Sequence, residues 1–224
     1  SGCSVLCIDV AHGHHKLVKE AMRMTGVTKG VEITTIADIP SKGSGLGSSS
    51  AVTVGLLHAL HCFAGRTPTS RQLAEEACKI EINILGQTIG KQDQYAVAFG
   101  GCNHIIFNQD GTVIVENISD KIQLKDNFSL IYTGITRLAN EILKDQNSKT
   151  SQNRNNLDLL VVQAKKAKKM IVEENFLGLA KLLDETWAWA PSLAELQLHF
   201  FSSCPHSSTY SMRSTTFISG SCPL

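Results

Sequence analysis

The stretch IPSKGSGLGSSSAVTVGLLHAL, residues 39–60, sets the tightest limits on how this chain can fold. Pro40 stops a preceding strand, and glycines at 43, 45 and 47 give the backbone positive φ angles that other residues adopt only at a cost. From Ser49 to Phe63 almost every residue is small or apolar, which predicts a helix buried on most sides. A loop feeding a helix start leaves several N–H groups without helical partners. Together with the positive end of the helix dipole, these donors suit phosphate. Ser48, Ser49 and Ser50 add hydroxyls that can cap the helix, bind phosphate oxygens or reach a metal ion. A flexible turn with a serine cap is the plainer reading of the same residues.

Three familiar glycine-loop patterns do not fit. A P-loop needs GxxxxGK[ST], and no lysine follows Gly47. The dinucleotide pattern GxGxxG is met at Gly43 and Gly45, but Ser48 stands at the third glycine's place and no parallel βαβ unit is evident. The serine-hydrolase elbow GxSxG is absent.

Elsewhere, KLVKEAMRM (Lys16 to Met24) has helical spacing, with Leu17, Val18, Ala21 and Met24 on one side. A strand is expected from Val31 to Ile36, and a second helix from Ser70, its N-cap, to about Leu85, stopped by Gly86. CNHIIFNQDGTVIVENI predicts a hairpin turning at Asp110-Gly111. FSLIYTG, from Phe128 to Gly134, is a further strand, and helices follow at Asn155 to Glu174 and Leu177 to Trp189. Strands and helices mix without strict alternation, which predicts an α+β fold. A domain boundary is placed in SDKIQLKDN, residues 119–127, and no internal repeat is found. The last stretch, from about residue 196, is rich in Ser, Thr, Cys and Pro without period, and is expected to be poorly ordered or poorly packed.

Composition narrows the function classes. With 21 basic and 20 acidic side chains the net charge is +1, so no basic footprint points to nucleic acid. No apolar run reaches transmembrane length and the start lacks a signal-peptide pattern, so a cytoplasmic protein is expected, without a membrane partner. Seven scattered cysteines, an odd number, favour reduced thiols over a disulfide framework. Cys3 and Cys7 with His12, His14 and His15 fit no standard structural zinc spacing.

A second constellation lies in KIEINILGQTIGKQDQYAVAFGGCNHIIF, residues 79–107. Taken with the proline, GLGSSS and the small-residue helix, it resembles the GHMP small-molecule kinases, the superfamily of galactokinases, homoserine kinases and mevalonate kinases. In that family an acidic residue at a helix end precedes a catalytic aspartate by about a dozen residues, and Glu81 and Asp93 correspond. IGKQDQYAVAFGG, YTGITRLANEIL, KLVKEAM and LLDETW are similar to the D-glycero-D-manno-heptose 7-phosphate kinase branch and its sugar-kinase relatives. The resemblance covers roughly residues 14–195.

What this implies is specific. The fold would be a two-domain α+β kinase, with a ribosomal protein S5 domain 2-like ATP-binding domain over residues 1–125 and part of a ferredoxin-like domain over residues 126–195, followed by an atypical tail, 196–224. ATP phosphates would lie on Gly43, Ser44, Gly45, Leu46, Gly47, Ser48, Ser49 and Ser50. Mg²⁺ would be held by Ser49 and Glu81. Asp93 would accept or orient the sugar hydroxyl's proton, and Lys91 would steady the phosphates or pair with Asp93. The substrate would be a sugar phosphate, D-glycero-D-manno-heptose 7-phosphate at its anomeric hydroxyl, and a homo-oligomer is compatible with the family. The residues alone permit plainer roles: Glu81 as a solvated surface carboxylate, Asp93 as a helix cap, Arg137 as a surface cation, and Trp187 and Trp189 as packing.

The family pattern is not matched everywhere. Its basic N-terminal substrate segment has no counterpart before His12, and its C-terminal GAGGGGF-like loop is missing. One extra residue separates Pro40 from Gly43, and the resemblance fades after Glu195, as in a chain truncated at both ends. A catalytically inactive nucleotide- or phosphate-binding fragment is therefore the competing expectation.

Overall fold

The computed structural model describes residues 15–34, 47–118, 127 and 154–189. The loop glycines 43 and 45, the strand expected at 128–134, Arg137, the early cysteines and the tail lie outside the described residues. Contacts divide the chain into two compact units, Ser1–Gly100 with Ile135–Asn140, and Gly101–Gly134 with Glu141–Leu224.

The first unit is helical where it is described. Helix α1, His15–Thr25, buries Leu17 and Ala21, with Val18, Met22 and Met24 half-buried beside them. Helix α2, Ser48–Phe63, supplies the centre of the core through Val54, Leu56, Leu57 and Leu60. Burying a leucine fully is worth about 1.5–3 kcal/mol, so Leu57 and Leu60, both shielded completely, anchor this unit. Burial is less complete than the composition predicts. Ala51, Gly55, His58 and Cys62 recur at helical spacing and face outward.

The strand expected at Val31–Ile36 is not formed over residues 31–34, and residues 35 and 36 lie outside the described set. Side chains still alternate there, with Ile33 buried and Glu32 and Thr34 exposed. The pattern of a strand is present, but among the described residues it has no ladder partner, and the ladder defines the element.

Helix α3, Ser70–Cys78, starts one residue earlier in capping terms than the sequence suggests. Thr69, not Ser70, is the N-cap, and its side chain accepts from Gln72 N at 3.1 Å. The helix runs directly into a π-helical turn, Lys79–Ile84, before Gly86 at φ 65° ends it. Leu85 N donates to Ile80 O, five residues back, at 2.9 Å. A short helix α4, Gln92–Phe99, follows.

A polar clasp ties the far ends of α1, α2 and α3. Arg66 donates to Thr25 O through Nη2 and to His61 Nδ1 through Nε at 3.1 Å. Because Arg66 can only donate, Nδ1 must be the acceptor, which places the ring proton on Nε2, 2.7 Å from Glu76 Oε2. Gln72 Nε2 donates to the other oxygen of Glu76 at 2.9 Å.

In the second unit, β1, Asn103–Phe107, and β2, Val113–Asn117, form the antiparallel hairpin expected, with Ile105 opposite Val115. Gly111 takes φ 84° at its turn, and Asp110 Oδ1 accepts from Thr112 N at 2.9 Å and Thr112 Oγ1 at 2.6 Å. Helices α5, Arg154–Val172, and α6, Phe176–Trp189, match the two helices predicted and pack through Ala167, Ile171, Leu179 and Leu182. Three cysteines among the described residues, Cys62, Cys78 and Cys102, are free thiols, as the scattered pattern predicts. No helix of the described residues is long and apolar enough to cross a membrane.

Candidate functional site

Three segments far apart in sequence meet at one point of the first unit. The glycine-serine segment arrives at Gly47, which is left-handed at φ 68°, ψ 23° and serves as the N-cap of α2 without a side chain. Any other residue there would meet the left-handed penalty of about 1–2 kcal/mol. Gly47 also runs close to α4, since a Cβ built on it would lie 3.6 Å from the Asp93 carboxyl carbon.

Beyond Gly47, the serines turn toward Glu81. Ser49 Oγ donates to Glu81 Oε1 at 2.5 Å, and Ser50 Oγ donates to Oε2 at 3.1 Å. Gln94 Nε2 donates to Oε2 as well, at 2.5 Å. Glu81 is fully shielded from solvent. A buried carboxylate is tolerated only when it is well hydrogen-bonded, and three donors from two helices supply that here. The surface-carboxylate reading of Glu81 is thereby corrected.

Glu81 continues the buried face of α3 into the π-helical turn. Leu73, Ala77 and Glu81 are spaced four apart, so α3 already directs its buried face toward the serines. The wider turn then changes the phase. Ile84, four after Ile80, is exposed, while Leu85, five after it, packs against the core. Such turns are uncommon and cluster at functional sites.

Asp93 sits in the first turn of α4, half-buried. Burial, and then the like charge of Glu81, push its carboxyl above the ordinary aspartate range. Lys91 is exposed at the residue before α4, and among the described residues no ion pair joins it to Asp93. Its ammonium instead pulls against the Cys78 thiol, which burial pushes up to about 12. Of the eight loop positions expected to hold phosphate, Gly47, Ser48, Ser49 and Ser50 are described, while Gly43, Ser44, Gly45 and Leu46 lie outside. Ser50 is buried and bonded to Glu81, Ser48 and Ser49 are both half-buried, and Ser49 donates to Glu81 from the loop side.

The donor set bears on metal binding. Among the described residues no group of three or more His, Cys, Asp and Glu side chains forms a ready metal centre. One carboxylate with a hydroxyl is nevertheless a set of hard oxygens that magnesium accepts while keeping several waters. A carboxylate oxygen offers about two acceptor sites, so Oε1 of Glu81, with Ser49 as its one donor, retains capacity. The residues fit a magnesium ion bound at Ser49 and Glu81.

Gln94 escaped the sequence reading. It is fully buried, and its Oε1 has no hydrogen-bond partner. No periodicity marks it, because α4 is short and buries only Gln94 and Tyr95. The one available signal was its position directly after Asp93.

Comparison with known proteins places this chain beside sugar kinases. The chain is 32% identical over 168 residues to the D-glycero-alpha-D-manno-heptose 7-phosphate kinase of Campylobacter jejuni, covering 72% of this chain and 49% of that one. It is 30% identical over 169 residues to the L-fucokinase/L-fucose-1-P guanylyltransferase of Bacteroides fragilis, covering 70% of this chain and 18% of the relative. To the galactokinase of Thermotoga maritima it is 29% identical over 93 residues, 42% of this chain and 26% of that enzyme. The chain thus spans about half the length, or less, of the curated relatives it matches. The family model "GHMP kinases N terminal domain" matches residues 13–101, a range that contains the glycine-serine loop, Glu81 and Asp93. With Ser49, Glu81 and Asp93 carried on α2, the π-helical turn and α4, residues 13–101 are a GHMP kinase N-terminal domain.

Proposed function

We propose that this chain is an ATP-dependent sugar kinase that phosphorylates a sugar phosphate, D-glycero-D-manno-heptose 7-phosphate, at its anomeric hydroxyl. The observation that carries this reading is the convergence of Ser49, Glu81 and Asp93, residues separated by 32 and 12 positions, on one point beside a left-handed glycine. The heptose phosphate reading is supported by the Campylobacter kinase, 32% identical to this chain over 168 residues. The proposal includes the remaining family architecture: an S5 domain 2-like ATP-binding domain at residues 1–125, part of a ferredoxin-like domain at residues 126–195, and a cytoplasmic site of action.

In this reading the residues divide the work. The loop from Gly43 to Ser50 cradles the ATP phosphates with backbone N–H groups and the positive end of α2. Magnesium, when bound, neutralises charge on the β- and γ-phosphates. Ser49 and Glu81 would hold it; the Ser49 hydroxyl donates its hydrogen bond to Glu81, which leaves the hydroxyl oxygen's lone pairs available. Asp93 receives or orients the proton of the attacking hydroxyl, and its upward-shifted carboxyl brings it nearer the range of a working base. Lys91, exposed before α4, is free to reach a phosphate.

The test is ATP consumption by the full chain with magnesium and the heptose phosphate. Asp93→Ala is expected to lower kcat about 100-fold or more while leaving nucleotide affinity within about threefold, since positioned proton transfer contributes about 10²–10⁴. Sugar-independent ATP binding without turnover by the unsubstituted chain would assign the non-catalytic nucleotide-binding reading instead.

A further inference from the structure

We propose that Gln94 is a positioning residue for the nucleotide site: its side-chain amide fixes the Glu81 carboxylate so that Oε1 is presented to Ser49. This inference rests on the assignment of Ser49 and Glu81 as the magnesium ligands.

The geometry separates the two oxygens of Glu81. Oε1 has one donor, Ser49 at 2.5 Å, whereas Oε2 has two, Gln94 at 2.5 Å and Ser50 at 3.1 Å. A carboxylate rotates about its terminal bond unless its oxygens are held differently. Here Oε2 is the held oxygen, and Gln94 makes the shorter of its two contacts. Without Gln94, Oε2 would keep only the longer Ser50 bond, and the orientation of the group would rest on the two serine hydroxyls alone.

Position on α4 strengthens the argument. Asp93 and Gln94 are consecutive, so their side chains leave the helix about 100° apart. Asp93 lies against Gly47, and Gln94 reaches Glu81. The first turn of one short helix therefore addresses both carboxylates of the site and sets their separation.

A role limited to stability is a poor explanation of this residue. Gln94 is fully buried, and its Oε1 has no hydrogen-bond partner, which costs the fold free energy. Methionine has nearly the same length and shape and would fill the position without an orphaned acceptor. Retaining an amide makes sense where a donor to Glu81 is required. Residues that orient a metal ligand through a hydrogen bond change metal affinity by about 10–100-fold when replaced.

The experiment is manganese binding to the full chain in the presence of a non-hydrolysable ATP analogue, followed by the spectroscopic signal of the ion, with thermal melts of each apo variant. Manganese serves as the probe because it prefers the same hard oxygen ligands. Gln94→Met is expected to weaken manganese binding about 10-fold or more while its melting temperature stays at or above that of the unsubstituted chain. In the double variant with Glu81→Gln, Gln94→Met should add little further loss, because both act through one contact. Should Gln94→Met fail to fold, Gln94→Asn keeps the amide but draws it back by one methylene, and the same weakening is expected. Unchanged manganese affinity in the folded Gln94 variant, with binding lost in Glu81→Gln, overturns the role of Gln94 and leaves the site reading standing. Absence of binding by the unsubstituted chain, or equal binding by Glu81→Gln, removes the site and this inference with it.

Discussion

The two units bury different kinds of side chain. In the first, a leucine-rich core surrounds Glu81, Gln94, Ser50, Thr53, Thr25 and His61, all nearly or fully shielded. In the second, the buried cluster is Ala167, Ile171, Leu179 and Leu182, and the hairpin's Glu116 and its partner Lys168 are partly exposed while His104 is buried. Glu116 shows the contrast. It accepts from Lys168 at 2.5 Å and lies 2.9 Å from His104, yet stays in water, where such pairs contribute little. Among the described residues the first unit gathers buried Ser50 and Gln94 around one carboxylate, Glu81, whereas the buried polar groups of the second unit, His104 and the Gln163 amide oxygen, are not part of its apolar helix cluster.

Core truncation should give the largest effects and tests whether the two clusters are separate. Leu57→Ala and Leu179→Ala remove fully buried leucines, one from each unit, and each is expected to cost about 2–5 kcal/mol in urea unfolding. Hydrogen exchange should then show lost protection over residues 48–84 for Leu57→Ala and over residues 154–189 for Leu179→Ala. Equal loss in both segments from either variant would break the comparison.

Replacing the half-buried Asp93 of the site should have the opposite sign. Burial and Glu81 raise the Asp93 carboxyl, so the folded state holds its proton more tightly than the unfolded chain does. Stability is therefore greater at acid pH and falls as pH rises through the raised value, when the shielded carboxyl must take on charge. Asp93→Asn relieves that charge, and its melting temperature at neutral pH is expected to rise by a few degrees, about 2–4 °C per kcal/mol gained. The gain should shrink as the pH approaches 3.8, the ordinary aspartate value, because the native carboxyl is then neutral as well. A gain that grows with acidification would contradict the burial of this group.

The smallest change is expected at Glu116→Gln in the second unit. Lys168 and then His104 hold the Glu116 carboxyl below the usual glutamate range, so its contribution is present at neutral pH and is lost as pH falls through that lowered value. Exposure makes the contribution slight, and added salt should erase most of it. A melting shift that survives high salt would place Glu116 among the buried groups instead.

Much of this architecture was legible in the chain. Leu17, Ala21 and Met24 at helical spacing gave α1, Asp110-Gly111 between β-branched runs gave the hairpin, and Gly86 gave the helix stop. The glycine-serine loop, Glu81 and Asp93 drew attention to the place where the structure brings Gly47, Ser49, Glu81 and Asp93 together. What failed were features decided by partners. Val31–Thr34 alternates like a strand but forms no ladder among the described residues, and the open side of α2 depends on what packs over it. Gln94 was invisible because one amide on a short helix has no period, and its role is set by a residue 13 positions earlier.

The π-helical turn at Lys79–Ile84 has a further consequence. A turn of this kind is an α-helix carrying one residue more than its hydrogen bonding needs. Loss of that residue would tighten the turn and swing everything after it by about 100° relative to α3. The interval from Glu81 to Asp93 is thus measured along a stretch with slack in it. A relative with an ordinary turn there would hold the same two carboxylates at a different count, and only superposition in space would match them.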